Sequence, residues 1–249
     1  PTSGTSVEVA GTASSTEPDA NSANNTSSSS SLVFDPARAT LVVGVEDVAG
    51  EIRAVDVDSG ASQVILVQEA SGLAADNENR RFFVSDGDNL IIIPWNTLTP
   101  QVVGPYIGTT VDIDGLAWDS TRQILLGTTT SNIYTIDIAT AALTRIQLYG
   151  AGDLGGIEYD PSTDRLIAAN NSTSTSGGWA GRGFYRVDPY GSEQTFLFGY
   201  PDETPGTAET DIDGCAVGGG RIYGVTDEMR WVYRYDQTGM TFIDPLAQP

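Results

Sequence analysis

The chain of 249 residues has no lysine, no histidine and a single cysteine. Each absence removes chemistry. Without histidine there is no ordinary general base near neutral pH, no Ser-His-Asp or Cys-His arrangement, and no common zinc or copper site. Without lysine there is no Schiff-base chemistry and no P-loop grip on phosphate. Cys215 cannot close an intrachain disulfide, and within Cys215-Ala216-Val217 it reads as a small buried apolar residue. No apolar run approaches the ~18 residues of a membrane-spanning helix, so no membrane insertion is expected. No helical period of useful length appears. The chain begins at Pro1 without a signal-peptide pattern, as a processed, exported polypeptide would.

Positive charge is also scarce. All 12 basic residues are arginine, against 22 aspartates and 11 glutamates, for a net charge of −21. Such a surface repels nucleic acid and anionic lipid, stays soluble in salt and attracts divalent cations. Neither nucleic acid nor membrane is expected as a partner. The expected location is extracellular or on the cell surface.

What the chain does have is a repeat. Asp-Ile-Asp-Gly occurs at 112–115 and again at 211–214, each time followed by an alternating apolar run. Aligned on its glycine, the phrase recurs with Ser31, Gly72, Gly115, Gly156 and Gly214 in equivalent places, at spacings of 41, 43, 41 and 58 residues. The third unit shows the pattern most clearly: Gly115-Leu116-Ala117-Trp118-Asp119, then Gln123 to Thr128, Asn132 to Asp137, and Leu143 to Ile146. These are four short alternating runs separated by turns. A period near 40 with four strands per unit predicts an all-β fold, a β-propeller of five four-stranded blades. In the second unit Gly87-Asp88 predicts a hairpin turn, and Pro94 is expected where its strand lacks a partner.

The units resemble blades of secreted bacterial and archaeal propellers of the NHL, YVTN and SMP-30 groups. There a Gly-Leu-Ala-x-Asp strand, a Leu-Tyr-Gly-like strand and an Ile-Tyr-x-Ile-Asp strand recur. Here the pattern runs from about residue 31 to 245. The resemblance implies the architecture, on which binding, scaffolding and catalysis all occur. For the lactonase branch it implies a metal held by Glu, Asn and Asp in the central channel.

The residues preceding each first strand are expected at one mouth of that channel. The repeat places Asp112, Asp114, Asp153, Asp211 and Asp213 there, with Glu69 in the second unit. Convergent carboxylates repel unless a cation sits among them, which makes these five aspartates a candidate Ca²⁺ site. The competing reading is that each Asp bonds the backbone of its own turn. Paired carboxylates also suit glycan hydrolysis.

Asn24, Asn25, Asn170 and Asn171 each match Asn-x-Ser/Thr and are candidate glycosylation sites. An insertion from Asn170 to Arg182 carries Trp179 on a Gly-rich loop. Trp179 is a candidate contact for a partner or a sugar, or else it folds back over its own blade. The aromatics Trp95, Trp118, Tyr134, Tyr159, Tyr185 and Tyr233 recur at matching strand positions and are expected to pack between blades.

Residues 1–30 form a Ser/Thr-rich arm ahead of a propeller at 31–249, and only Thr5–Ala10 alternates like a strand. Five complete blades leave that strand, with Val7 and Val9, surplus. A surplus strand can pair with the edge of a neighbouring molecule and build a filament. The leading expectation is a secreted, non-enzymatic structural or adhesive propeller that self-associates through its arm. The alternatives are a glycan- or small-ligand-binding propeller and a metal-dependent hydrolase or lactonase.

Overall fold

In the computed structural model of the chain, the described residues are 6–12, 26–32, 40–45, 50–57, 62–108, 112–200, 202–204, 207–208, 211–225, 232–236 and 241–247. The described elements are all strands. An N-terminal hairpin pairs β1 (Ser6–Thr12) with β2 (Thr26–Leu32). The first sheet holds β3 (Thr40–Val45), β4 (Glu51–Asp56) and β5 (Ser62–Val67). The second holds β6 (Gly72–Asp76), β7 (Arg81–Ser85), β8 (Asn89–Pro94) and β9 (Gln101–Pro105). The third holds β10 (Gly115–Asp119), β11 (Ile124–Thr129), β12 (Asn132–Ile136) and β13 (Leu143–Leu148). The fourth holds β14 (Leu154–Asp160), β15 (Arg165–Asn170), β16 (Gly183–Val187) and β17 (Gln194–Phe198). A short pair, β18 (Asp202–Thr204) with β19 (Thr207–Ala208), precedes the fifth sheet. That sheet holds β20 (Gly214–Gly218), β21 (Arg221–Val225), β22 (Val232–Asp236) and β23 (Thr241–Ala247).

The sheets are antiparallel meanders in chain order, and the chain is a β-propeller. Four sheets have the expected four strands, whereas the first has three among the described residues. The run expected to supply its inner strand begins at Leu32, which instead ends β2, opposite Ser6. The Ser-rich end of the arm, which sequence alternation does not mark as a strand, is therefore one. Its backbone can pair with β1 whatever its side chains are, since ladder bonds need only N–H and C=O groups. The boundary expected at residue 30 falls inside β2.

Inner strands β6, β10, β14 and β20 lie side by side, and glycine sets their spacing. A Cβ on Gly115 would stand 2.6 Å from the Gly155 carbonyl oxygen, and one on Gly156 only 2.5 Å from the Gly214 carbonyl carbon and the Cys215 nitrogen. The core lies in the seams between sheets. Ala74, Phe83 and Leu90 of the second sheet meet Leu116, Trp118, Leu125 and Tyr134 of the third. Ala117, Leu126 and Ile133 of the third meet Ile157, Tyr159, Leu166 and Tyr185 of the fourth. Ile167, Ala169 and Phe184 of the fourth meet Ile222, Tyr233 and Tyr235 of the fifth. Arg234 of the fifth sheet donates to the Val57 carbonyl beside the first at 2.8 Å, linking the two ends of the series. The repeated aromatics are seam residues, as the sequence predicts.

The turns follow their chemistry. Gly87 has φ 91° in the predicted hairpin, where Asn89 N donates to Asp86 Oδ1 at 2.7 Å. Pro94 pairs with Arg81 on β7, while the β8–β9 ladder stops at Ile92. The aspartate closing each of β6, β10 and β14 is buried and caps the next turn: Asp76 accepts from Asn79 N at 3.1 Å, Asp119 from Arg122 N at 2.9 Å, and Asp160 from Ser162 N at 3.0 Å.

Gly156→Ala is expected to destabilise the fold by about 1–3 kcal/mol, because backbone atoms of β20 must move to admit the methyl group. Gly199→Ala is the control, since nothing lies within 4 Å of a Cβ there. Urea unfolding midpoints compare the two; equal midpoints would contradict this account of the inner-strand spacing.

Candidate functional site

The repeated phrase alternates. Its second residue is a buried plug in each sheet, with Ala70, Ile113, Leu154 and Ile212 all 6 % exposed or less. The flanking residues necessarily point the other way. Asp112, Asp114 and Asp213 are exposed, and Asp153 and Asp211 are half-buried. The backbone between them extends the inner ladder: Asp114 N donates to the Thr128 carbonyl and Asp213 N to the Val225 carbonyl, both at 3.0 Å. Among the described residues no three acidic or cysteine side chains come together in a way that could hold a metal ion. The five aspartates stand at corresponding places on successive sheets without forming one ligand set.

Between the fourth and fifth sheets the polar groups do converge. β15 ends at Asn170, where the insertion begins. Asn170 is fully buried: its Oδ1 accepts from Asp153 N at 2.8 Å and its Nδ2 donates to the Gly181 carbonyl at 2.8 Å. Asn171 reaches across the seam. Its Oδ1 accepts from Tyr200 OH at 2.6 Å and from Ile212 N at 3.0 Å, and its Nδ2 donates to Asp211 Oδ1. Arg182 at the far end of the insertion donates to the Asn171 carbonyl at 2.9 Å, so the loop is tied at both ends.

These contacts bear on two expectations. Asn170 and Asn171, read from sequence as candidate glycan acceptors, both spend their amides on internal hydrogen bonds; Asn170 is buried and Asn171 half-buried. Trp179, read either as a partner contact or as folded back over its own blade, takes the second position at 3 % exposure. Its ring lies edge-on to Tyr149 and Tyr185, with centroids 5.9 and 4.7 Å away, and Nε1 donates to the Tyr149 carbonyl at 3.1 Å. Gly152 makes room for it, since a Cβ there would fall 2.5 Å from the indole. A large apolar ring gains more by closing this seam than by standing in water. Asn24 and Asn25 lie outside the described residues. Val7 and Val9 lie on β1, opposite Ser31 and Ser29.

The same seam contains a carboxyl that the sequence reading does not single out. Glu158 occupies the place held by Ala74, Ala117 and Ala216 in the other inner strands, and that aligned difference was the available signal. Desolvation pushes its pKa up to about 8, opposed only weakly by the Tyr159 N–H, which donates to Oε1 at 3.2 Å. Burial, and then the nearby Glu158, push the Cys215 thiol well up, and Cys215 Sγ donates to the Ile167 carbonyl at 3.3 Å. Burial raises Tyr200 as well, reinforced by the charges of Cys215, Asp211 and Asp213. Burial also raises Asp153. The seam favours neutral acids, a neutral thiol and neutral phenols, which hydrogen-bond well and are poor nucleophiles.

Charge is concentrated instead at the opposite ends of the inner strands. Arg122 donates to Asp119 Oδ2 at 2.9 Å and forks onto Asp164 at 2.6 and 2.8 Å, linking the third and fourth sheets. The Tyr190 ring lies 4.6 Å from its guanidinium, and Tyr190 OH donates to Asp119 Oδ2 at 2.8 Å. Arg122, and then Tyr159, hold the Asp164 carboxyl below its usual range.

Asn171→Ala strands the Tyr200 hydroxyl and the Ile212 N–H, at an expected cost of about 1–3 kcal/mol read from chemical unfolding; no loss would show that the amide does not join the two sheets. Glu158 is expected to make stability pH-dependent. Its carboxyl titrates at its ordinary value of 4.5 when unfolded and at about 8 when folded. Between those values the folded state holds a proton that the unfolded state has lost, so stability falls as pH rises through the window. The Tm of Glu158→Gln is expected to fall less than wild type between pH 5 and pH 9. Parallel Tm curves would place the carboxyl in water.

No family model matches the chain, and no curated protein matches it in sequence. Among solved structures it is similar to a chain of the nidogen/laminin complex crystal structure, at 16 % identity over 89 % of this chain and 84 % of that one, with a TM-score of 0.54. A chain of the mitotic checkpoint complex crystal structure is a weaker match, at 12 % identity over 83 % of this chain and 61 % of that one, with a TM-score of 0.42. The first likeness, at so low an identity, shows a shared propeller-type fold.

Proposed function

We propose that this chain is a non-enzymatic, extracellular structural or adhesive propeller whose copies join through the N-terminal arm. The observation that carries the reading is the hairpin. β1 and β2 pair over seven residues, and among the described residues each has one strand neighbour. A two-stranded ribbon is marginal alone in water, and a third strand supplies the missing ladder. An arm that ends in such a ribbon is suited to adding onto another sheet.

Three further facts support the reading. The chain lacks histidine and lysine. The converging polar groups of the fourth seam are biased toward their neutral forms and engaged in joining two sheets. The propeller-type fold is shared with a chain from a complex of proteins. The glycan-binding alternative loses Trp179 as its contact, and the calcium alternative has no group of three acidic side chains among the described residues.

Deleting residues 1–30 is expected to convert assembled material into monomers while leaving the propeller folded, with a cooperative thermal transition like that of wild type. Light scattering and electron microscopy read the outcome. Unchanged particle size in the deleted protein would sink the proposal.

A further inference from the structure

We propose that the edge receiving the arm is β5 of the first sheet, and that its occupant is the β1–β2 hairpin of a second copy, entering by β2. This rests on the arm-mediated assembly just proposed and names its seat.

The outer strands differ in how well they resist pairing. β9 carries Gly104, at φ 145°, and Pro105, which has no N–H to donate. β13 exposes the charged Arg145, and β23 contains Asp244 and Pro245. β17 reads Gln-Thr-Phe-Leu-Phe and is one residue shorter than β5; Phe196 is 42 % exposed, but it lies edge-on to Tyr185 at 5.3 Å, and Phe198 stacks on Tyr235 at 4.6 Å. Proline, charge and positive-φ glycine blunt the edges of β9, β13 and β23. β5 has none of them. It reads Ser-Gln-Val-Ile-Leu-Val, without charge, glycine or proline, and Val64 and Val67 are 36 % and 68 % exposed. β4 is its one strand neighbour among the described residues.

Two observations identify the occupant as the arm. The first is electrostatic. Each copy carries a net charge of −21, so two copies repel wherever acidic surfaces face each other. β5 contains no charged residue, and neither does β2, Thr-Ser-Ser-Ser-Ser-Ser-Leu. Glu8 lies on β1, which leaves β2 as the uncharged face of the hairpin. The second is dimensional. β2 has seven residues and β5 has six, or about 24 and 20 Å of strand at ~3.4 Å per residue. Arm and edge are different surfaces of one chain, so the contact repeats head to tail and generates a filament.

The test uses the full-length chain in a Cys215→Ala background. Val64→Cys on one molecule is mixed with Ser27→Cys, Ser29→Cys or Ser31→Cys on another and oxidised under assembly conditions. At least one pair is expected to give a disulfide-linked dimer on a non-reducing gel. The double variant Val64→Lys, Val67→Lys is expected to need at least about tenfold more protein to assemble, with the circular dichroism of wild type. No cross-link in any pair, together with normal assembly of the lysine variant, overturns β5 as the seat. If deletion of residues 1–30 still abolishes assembly in that case, arm-mediated assembly stands without this edge. If the arm-deleted chain assembles normally, or the wild type never assembles, both proposals fall.

Discussion

The close approach of neighbouring inner strands is the constraint on which the rest of the molecule depends. Gly72 lies against the backbone of Asp114 and Leu116, Gly115 against Gly155, and Gly156 against Gly214 and Cys215. At each step a missing Cβ admits the next backbone. That spacing brings the faces of adjacent sheets into contact and sets the depth of each seam. The seams are then filled by branched aliphatics close to the axis and by aromatics farther along the strands. Packing gains come from all of these side chains, but they are available only because the glycines let the sheets converge. A propeller therefore tolerates wide variation in its seams and little at its inner glycines.

Electrostatics follows from the same geometry. An aspartate at the end of an inner strand caps the turn with two or three short hydrogen bonds, and the repeat brings one to each sheet from the second to the fourth. A second aspartate does the same after the third strand, as Asp137 does for Ala139 N and Asp188 for Tyr190 N. Much of the acidity is thus turn chemistry multiplied by the repeat. The seam between the fourth and fifth sheets departs from this pattern. There Asn171, Tyr200, Glu158 and Cys215 replace part of the apolar packing with polar groups. A partly polar seam is joined by directional bonds, so it holds two sheets in one register, whereas an apolar seam allows some slip.

The architecture was legible because it depends on features that repeat. Glycines at fixed intervals, alternating strands and aromatics in matching places carry the same information several times over. The alternation Asp-apolar-Asp-Gly also foretold its own geometry: an apolar plug turned inward and acids turned out. The residues that sequence leaves open are those that occur once. Asn170-Asn171-Ser172-Thr173 is the same string whether its amides face water or a seam, and only the insertion wrapping back over β15 decides between them. Trp179 was ambiguous for the same reason, since Gly-rich loops permit either direction. The strand character of Thr26–Leu32 was hidden because serine adds no apolar periodicity, while its backbone pairs regardless. Glu158 was visible as a break in a column of alanines, but its consequence, a raised pKa, needs burial that sequence does not report.

In the proposed assembly, acidity and association are in tension, and the arrangement of strands would resolve it. A chain with this charge stays dispersed unless its copies meet through neutral surfaces, and sheet edges are the surfaces where backbone rather than side chain supplies the bonds. Blunting devices on β9, β13 and β23, absent from β5, would narrow such pairing in the proposed assembly. The Ser-rich arm is suited to this role by what it lacks. β2 has no charge to be repelled by another copy. Salt is then part of the mechanism, because screening shortens the reach of like-charge repulsion to a few ångströms, on the order of the Debye length at high ionic strength, while leaving backbone hydrogen bonds almost untouched. In the proposed filament the acidic shell would keep unproductive contacts apart, and the neutral edges would be the route by which one copy extends another.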